Sequence, residues 1–291
     1  MADILCWNDE YGMLPEQFDS CPDECRLFHD RSRIADADAV IFHIPTLREP
    51  IAELTRPPGQ RWVAWSMESD ANYPALADPG FMRHFDLTMT YRRDSDIWVP
   101  YLESELLELG RALPRPLRDP NAHAPAVYIA SNPFALSGRD DYVRELMQHV
   151  AVDAYGRCLR NRTWPTHDHG RATKLETLAQ YPFTLAFENS VADDYVTEKF
   201  FHPLLVGSVP VYLGAPNIAE FAPGRHCFVD VTEFSGPREL AAHLLELVAN
   251  ESAYHEYLAW RADGVRPEYR AMVEQVSQHP LARLARRLAA T

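Results

Sequence analysis

No run in this sequence approaches the ~18 uninterrupted apolar residues of a membrane-crossing helix, and MADILCWNDEYG at the start lacks the basic-then-apolar pattern of an export signal. A soluble, cytoplasmic protein is therefore expected. Basic charge is scarce too. With 28 Lys and Arg against 42 Asp and Glu, the formal charge of −14 opposes broad binding to nucleic acid or anionic membranes. An anionic small ligand would depend on local Arg and Lys. The cysteines, at 6, 21, 25, 158 and 227, lack the paired spacing of a disulfide framework, which fits a reducing compartment. CPDECRLFH offers Cys21, Cys25 and His29 without a fourth ligand, and His167 and His169 in THDHG read as a polar loop, so no metal site is expected. Internal repeats and low-complexity stretches are absent.

What is present is a globular composition, 46% hydrophobic, in a 291-residue chain long enough for two cores. Short apolar runs at Ile4–Trp7, Arg26–His29, Ala39–Ile44, Trp62–Ser66 and Leu87–Tyr91 predict a first set of strands. LPRPLRDPNAHAP, residues 113–125, has no periodicity and reads as a linker. Beyond it, Ala126–Ala130, Val150–Tyr155, Phe183–Phe187, Val209–Leu213 and His226–Val231 predict a second set. Helical faces are marked by Val143, Leu146, Met147 and Val150, and by Leu240, Leu244, Leu247 and Val248. The reading is α/β, with two Rossmann-like domains, 1–115 and 124–291, the second carrying a helical tail. In that tail LARLARRLAA, 281–290, is basic and amphipathic; a packed terminal helix is the expectation, and weak peripheral membrane contact the alternative.

The richest stretch is FTLAFENSVADDYVTEKFFHPLLVGSVPVYLGAPN, 183–217. It reads as strand, loop, helix and strand, with Asp194 as helix N-cap, Gly207 just past the helix end and Gly214 in the following turn. Val196, Phe200 and Leu204 form a core face, while Tyr195, Glu198, Lys199 and His202 share another. Ligands of parallel sheets sit beyond the carboxyl ends of the strands, which puts Glu188, Asn189 and the first helical turn beside any ligand. Helix N-termini also favour phosphate. By spacing alone, Glu198 and Lys199 would equally suit a solvated helix face.

FENS, DYVTEK and GSVPVYLG together resemble the signature of the α-1,3/4-fucosyltransferases, glycosyltransferase family ten. DRS at 30–32, ADAVIFH at 37–43, RPPGQRWVAWSMES at 56–69 and LTMTYRRDSDIWVPY at 87–101 resemble further segments of that family, in its order. Two positions depart from the pattern: Asp70, where many members have Pro, and Pro203, inside a helix that is usually uninterrupted. The resemblance implies the GT-B arrangement, two Rossmann-like domains facing across a cleft. The first would be the acceptor side and the second would bind GDP-fucose. It also implies a catalytic domain without the membrane anchor of eukaryotic members, as in a soluble bacterial-type protein. No cofactor or divalent metal is then required.

A nucleotide-sugar transferase must hold a diphosphate, stabilise positive charge developing on the sugar, and deprotonate the acceptor. Arg139 and Lys199 are assigned to the diphosphate, as charge-assisted donors at positions that match the family. Glu198 would face the fucose ring, and Asn189 and Tyr195 would complete the donor contacts. Glu68, after a first-domain strand, matches the family's base position, with Asp70 as rival. Arg92 and Arg93 stand in YRRDSD, where pairing with Asp94 or Asp96 competes with a ligand role. The expected activity is inverting transfer of L-fucose from GDP-fucose to a glycan hydroxyl, O3 of N-acetylglucosamine. Alternatives are a transferase using another nucleotide sugar, or a non-catalytic glycan- or nucleotide-binding protein.

Overall fold

A computed structural model describes residues 1–8, 22–109, 123–164 and 169–290. The chain divides into two compact units: Met1–Pro100 together with Glu274–Thr291, and Tyr101–Val273.

The first unit is built on a six-stranded sheet of order β2-β1-β3-β4-β5-β6. Its strands are β1 Ala2–Asn8, β2 Cys25–Phe28, β3 Ala39–His43, β4 Arg61–Ser66, β5 Leu87–Thr90 and β6 Ile97–Trp98. Every adjacent pair is parallel. β3 is buried at all its positions, as its unbroken AVIFH requires of a strand covered on both faces. One face packs Ile4, Ile41, Val63, Trp65 and Met89, and the other Leu5, Val40, Phe42, Trp62 and Ala64. That alternation is the period of two of a strand.

The second unit holds a five-stranded parallel sheet of order β11-β10-β9-β7-β8. Its strands are β7 Ala126–Ala130, β8 Val152–Gly156, β9 Phe183–Phe187, β10 Val209–Leu213 and β11 Val229–Asp230. Pro210 lies inside β10 at no cost to the ladder. The neighbouring Val209 N–H donates towards β9, to Pro182 O, so position 210 faces the other side, where pairing with β11 begins only at Val211. Helices Arg139–Leu146 and Pro237–Ala249 pack Val143, Leu146, Leu240 and Leu244 onto the sheet.

β7, β9 and β10 have the bounds that their sequence predicts, and most other strands differ by a residue or two. β6 is additional: two residues long, it leaves no periodicity to read. Most of the segment 113–125 lies outside the described residues, as do Cys21 and His167. The expectation for the helical tail needs correction. The helix Pro280–Ala289 belongs to the first unit, where Leu281, Leu284 and Ala285 join the core of Ile4, Val63 and Trp65. Arg286 pairs with Glu24 and Arg287 with Asp96, and Arg283 donates to Trp98 O. Its apolar face packs into that core, as expected of a packed terminal helix. No helix among the described residues is long and apolar enough to cross a membrane.

Candidate functional site

In the second unit, charge concentrates where β9 ends and the helix Glu198–Val206 begins. β9 delivers Glu188 into a fully buried position, where its two carboxylate oxygens accept from the Thr197 N–H and the Thr197 hydroxyl, each at 2.8 Å. Thr197 is the N-cap, its oxygen accepting from Lys199 N–H at 3.3 Å. The cap is therefore not Asp194, which sits in the left-handed region at φ 65° and exchanges hydrogen bonds with Asn217. Tyr195 consequently precedes the helix rather than sharing a helical face with Glu198. Gly214 makes room for this arrangement: a Cβ there would stand 2.6 Å from Glu188 Cγ and 2.5 Å from Tyr212 Oη. The helix runs through Pro203 to Val206 and ends at Gly207, φ 79°.

Glu198 Oε1 meets two ammonium groups, Lys174 Nζ at 3.2 Å and Lys199 Nζ at 3.4 Å, and the side chain is 33% exposed. Lys199 Nζ also reaches Thr197 Oγ1 at 3.1 Å and Glu188 Oε2 at 3.6 Å. Burial pushes the Glu198 carboxyl up, but Lys199 and then Lys174 outweigh it and hold the group far below the usual carboxylate range. Glu188 goes the other way, because burial and the nearby Glu198 charge prevail over Lys199. Burial pulls Lys199 down, yet the two carboxylates leave it above its ordinary value. Behind the cluster, Glu103 binds His202 Nε2 at 3.1 Å and Arg171 at 2.9 Å.

Arg139 starts its helix after the β7 loop, as expected, but only 2% of it is exposed. Its guanidinium donates to Phe187 O and Asn132 O, each at 3.1 Å, which ties the carboxyl ends of β7 and β9 together. The Asn189 carbonyl accepts from Leu136 and Ser137 N–H groups. Tyr195 is buried, its ring edge-on to Tyr101 at 6.5 Å.

In the first unit, Glu68 follows β4 as a half-buried residue. Ser66 Oγ holds its backbone at both ends, accepting from Glu68 N–H at 3.0 Å and donating to Glu68 O at 2.9 Å. Asp70 is 3.5 Å from Arg92, which pairs more closely with Asp94 at 3.1 Å. The pairing expected for Arg92 is thus present. Asp96 instead accepts from Thr88 and Arg287. A cavity of about 410 Å³ opens beside Asp70 and Arg92, walled by Leu76, Met82 and Tyr91.

Residues 120–290 match the family model described as glycosyltransferase family 10 (fucosyltransferase) C-term, and residues 1–102 match fucosyltransferase, N-terminal. The chain belongs to glycosyltransferase family 10. Among curated relatives of this family 10 chain, the GDP-fucose protein O-fucosyltransferase 3 of Gallus gallus is 41% identical over 218 residues, 70% of this chain and 45% of that protein. That of Canis lupus familiaris is 38% identical over 275 residues, 90% of this chain and 57% of that protein. The alpha-(1,3)-fucosyltransferase B of Drosophila melanogaster is 33% identical over 250 residues, 80% and 56%. The chain spans about half the length of these relatives. A solved alpha1,3-fucosyltransferase with GDP-fucose superposes with a TM-score of 0.64 at 18% identity, over 98% of this chain and 88% of that one. At that identity the likeness speaks for the fold, two Rossmann-like domains of the GT-B type.

Of the residues assigned to the donor from sequence, Glu198 and Lys199 touch directly, and Asn189 and Arg139 gather at the end of β9. Glu68 stands in the other unit. Lys174 and Glu103 are contributors that the sequence reading did not name, and His202, placed there on the Glu198 face, received no role. Only His202 had a signal, its i+4 spacing from Glu198. Lys174 and Glu103 stand 24 and 99 residues from the groups they bind.

Proposed function

We propose that this chain transfers L-fucose from GDP-fucose to an acceptor hydroxyl with inversion, and without a divalent metal. The observation that carries this reading is the Glu198–Lys199 pair at the carboxyl end of β9, in a chain of family 10. Lys199 neutralises the diphosphate; Arg139, assigned there beside it from the sequence, is instead buried and spends its donors on the strand ends that carry Glu188 and Asn189. Glu198 stays ionised and accepts hydrogen bonds from the sugar, favouring positive charge at the ring as the bond to GDP lengthens. Glu68 removes the acceptor proton, the acceptor oxygen bonds to the anomeric carbon from the face opposite GDP, and GDP leaves with the bonding pair.

The acceptor admits two readings. Transfer to O3 of a sugar, N-acetylglucosamine in the reading from sequence, draws on the α-(1,3) linkage in the Drosophila relative's name. A Ser or Thr hydroxyl of a polypeptide is supported by the protein O-fucosyltransferase names of the 38–41% identical relatives. Incubating the chain with GDP-fucose, with and without EDTA, against N-acetylglucosamine glycans and folded or linear Ser/Thr polypeptides separates them by product mass. Transfer from UDP- or ADP-sugars in place of GDP-fucose would overturn the donor. Activity that EDTA abolishes and one metal restores would overturn metal independence.

A further inference from the structure

An ammonium group has three N–H donors, and those of Lys199 face three acceptors already: Thr197 Oγ1 at 3.1 Å, Glu198 Oε1 at 3.4 Å and Glu188 Oε2 at 3.6 Å. A diphosphate drawn to this lysine must take donors from that set. Glu198 would then lose part of its restraint at the moment a sugar arrives, unless another group holds it.

Lys174, on the separate helix Arg171–Leu178, is placed to do so. Its ammonium lies 3.2 Å from Glu198 Oε1, closer than that of Lys199, on a side chain 22% exposed. Both lysines meet the same oxygen. Glu198 Oε2 has no hydrogen-bond partner among the described residues, on a side chain 33% exposed. The carboxylate is thus gripped by one oxygen and presents the other. The supporting helix is anchored independently of Lys174: Arg171 binds Glu103 Oε2 at 2.9 Å, and Glu103 Oε1 binds His202 of the Glu198 helix at 3.1 Å.

We propose that Lys174 is a positioning residue for the sugar half of the nucleotide sugar, pinning Glu198 Oε1 so that Oε2 stays free for a sugar hydroxyl while Lys199 turns to the diphosphate. This rests on the donor reading above. The ionisable groups around Glu198 are Lys199 and His202 on its own helix and Lys174 opposite. Glu188 stands at the end of β9, Tyr212 on β10, and Glu103 and Glu105 lie around the turn Ser104–Glu108. Lys174 and Lys199 are the two that oppose burial most strongly, so removing one makes protonation of Glu198 begin at a higher pH.

Calorimetry with GDP and with GDP-fucose, across pH 5 to 8, tests the proposal. Lys174→Met should bind GDP within about twofold of the parent but GDP-fucose about 10-fold or more weakly, the scale of one charge-assisted hydrogen bond. Its remaining preference for GDP-fucose should decline at a higher pH than the parent's. Lys174→Arg should restore most of both. If Lys174→Met does not fold, Lys174→Gln carries the same comparison. Unchanged GDP-fucose binding in the neutral variants, equal losses for GDP and GDP-fucose, or no rescue by Arg would each overturn the proposal while leaving the donor reading in place. A parent chain that binds neither ligand would overturn both.

Discussion

At the scale of single residues, Glu68 and Asp70 are two carboxylates on one loop with different surroundings. Asp70 is engaged by Arg92, whose guanidinium Asp94 also holds. Glu68 has its backbone pinned by Ser66, which fixes where its side chain starts. Commitment to a guanidinium makes Asp70 the weaker base, which leaves the role with Glu68. Glu68→Gln should keep GDP affinity and lose about 10²–10⁴-fold in turnover, the range for a removed general base, while Asp70→Asn loses far less. Near-parental turnover of Glu68→Gln with an inactive Asp70→Asn would reverse the assignment.

Glu198 also makes stability depend on pH. Its folded pKa lies below the unfolded value, so its contribution is present above the ordinary carboxylate range and is lost as pH falls through the folded value. The gap between urea midpoints of the parent and Glu198→Gln should therefore be constant from about pH 7 to 5.5 and narrow below about pH 4.5. A gap that widens towards acid would mean that the two lysines do not hold the carboxylate. FENS and TEK made Glu198 and Lys199 legible from sequence, because they lie on one short segment. Lys174 was not legible, since a lysine inside TKLETL is an ordinary helix-surface residue until the fold brings it to Glu198.

Among the elements, the helix Glu198–Val206 depends on its first turn. Asp194 was the natural N-cap candidate by residue type, but Glu188 competes for the same terminus from outside the helix. A buried carboxylate accepting the Thr197 N–H and hydroxyl draws the cap three residues later, a tertiary effect that local spacing does not encode. Thr197→Ala removes the cap oxygen and leaves Glu188 Oε2 without its hydroxyl donor in a site closed to water. The cap costs about 1 kcal/mol, and the lost hydroxyl bond to a buried carboxylate oxygen, left with Lys199 Nζ at 3.6 Å, about 1–3 kcal/mol. Thr197→Ser keeps the hydroxyl and should stay within about 1 kcal/mol of the parent. Chemical denaturation followed by circular dichroism ranks the pair, and equal stability of Ala and Ser would show that the hydroxyl is idle. β9 and β10 were legible to the residue because FTLAF and VPVYL are continuous apolar runs closed by turn residues. β11 was placed less well, since only Val229–Asp230 pairs out of the apolar His226–Val231.

On the scale of the whole molecule, the chain leaves the first unit at Pro100 and returns to it at Glu274. Helical periodicity in LARLARRLAA shows which residues face inward, but it carries no information about which core they face. That is why the tail could not be assigned from sequence, although its apolar stripe was plain. The structure gives the returning helix Pro280–Ala289 fully buried Leu281 and Leu284 against Ile4, Ile41, Val63 and Trp65. Such a helix contributes core to the first unit. Leu284→Ala in the full chain should cost about 2–5 kcal/mol, the range for a large-to-small change at a closed site. The loss has an address. Amide exchange should quicken in β1, β3 and β4, while β7, β9 and β10 of the second unit keep their protection, because each unit has its own core. GDP binding, assigned to Lys199 and its neighbours in the second unit, should survive at temperatures where the first sheet has begun to exchange. Faster exchange in β9 and β10 instead, or loss of GDP binding in step with β1, would mean that the helix supports the second unit and that the two cores do not open separately.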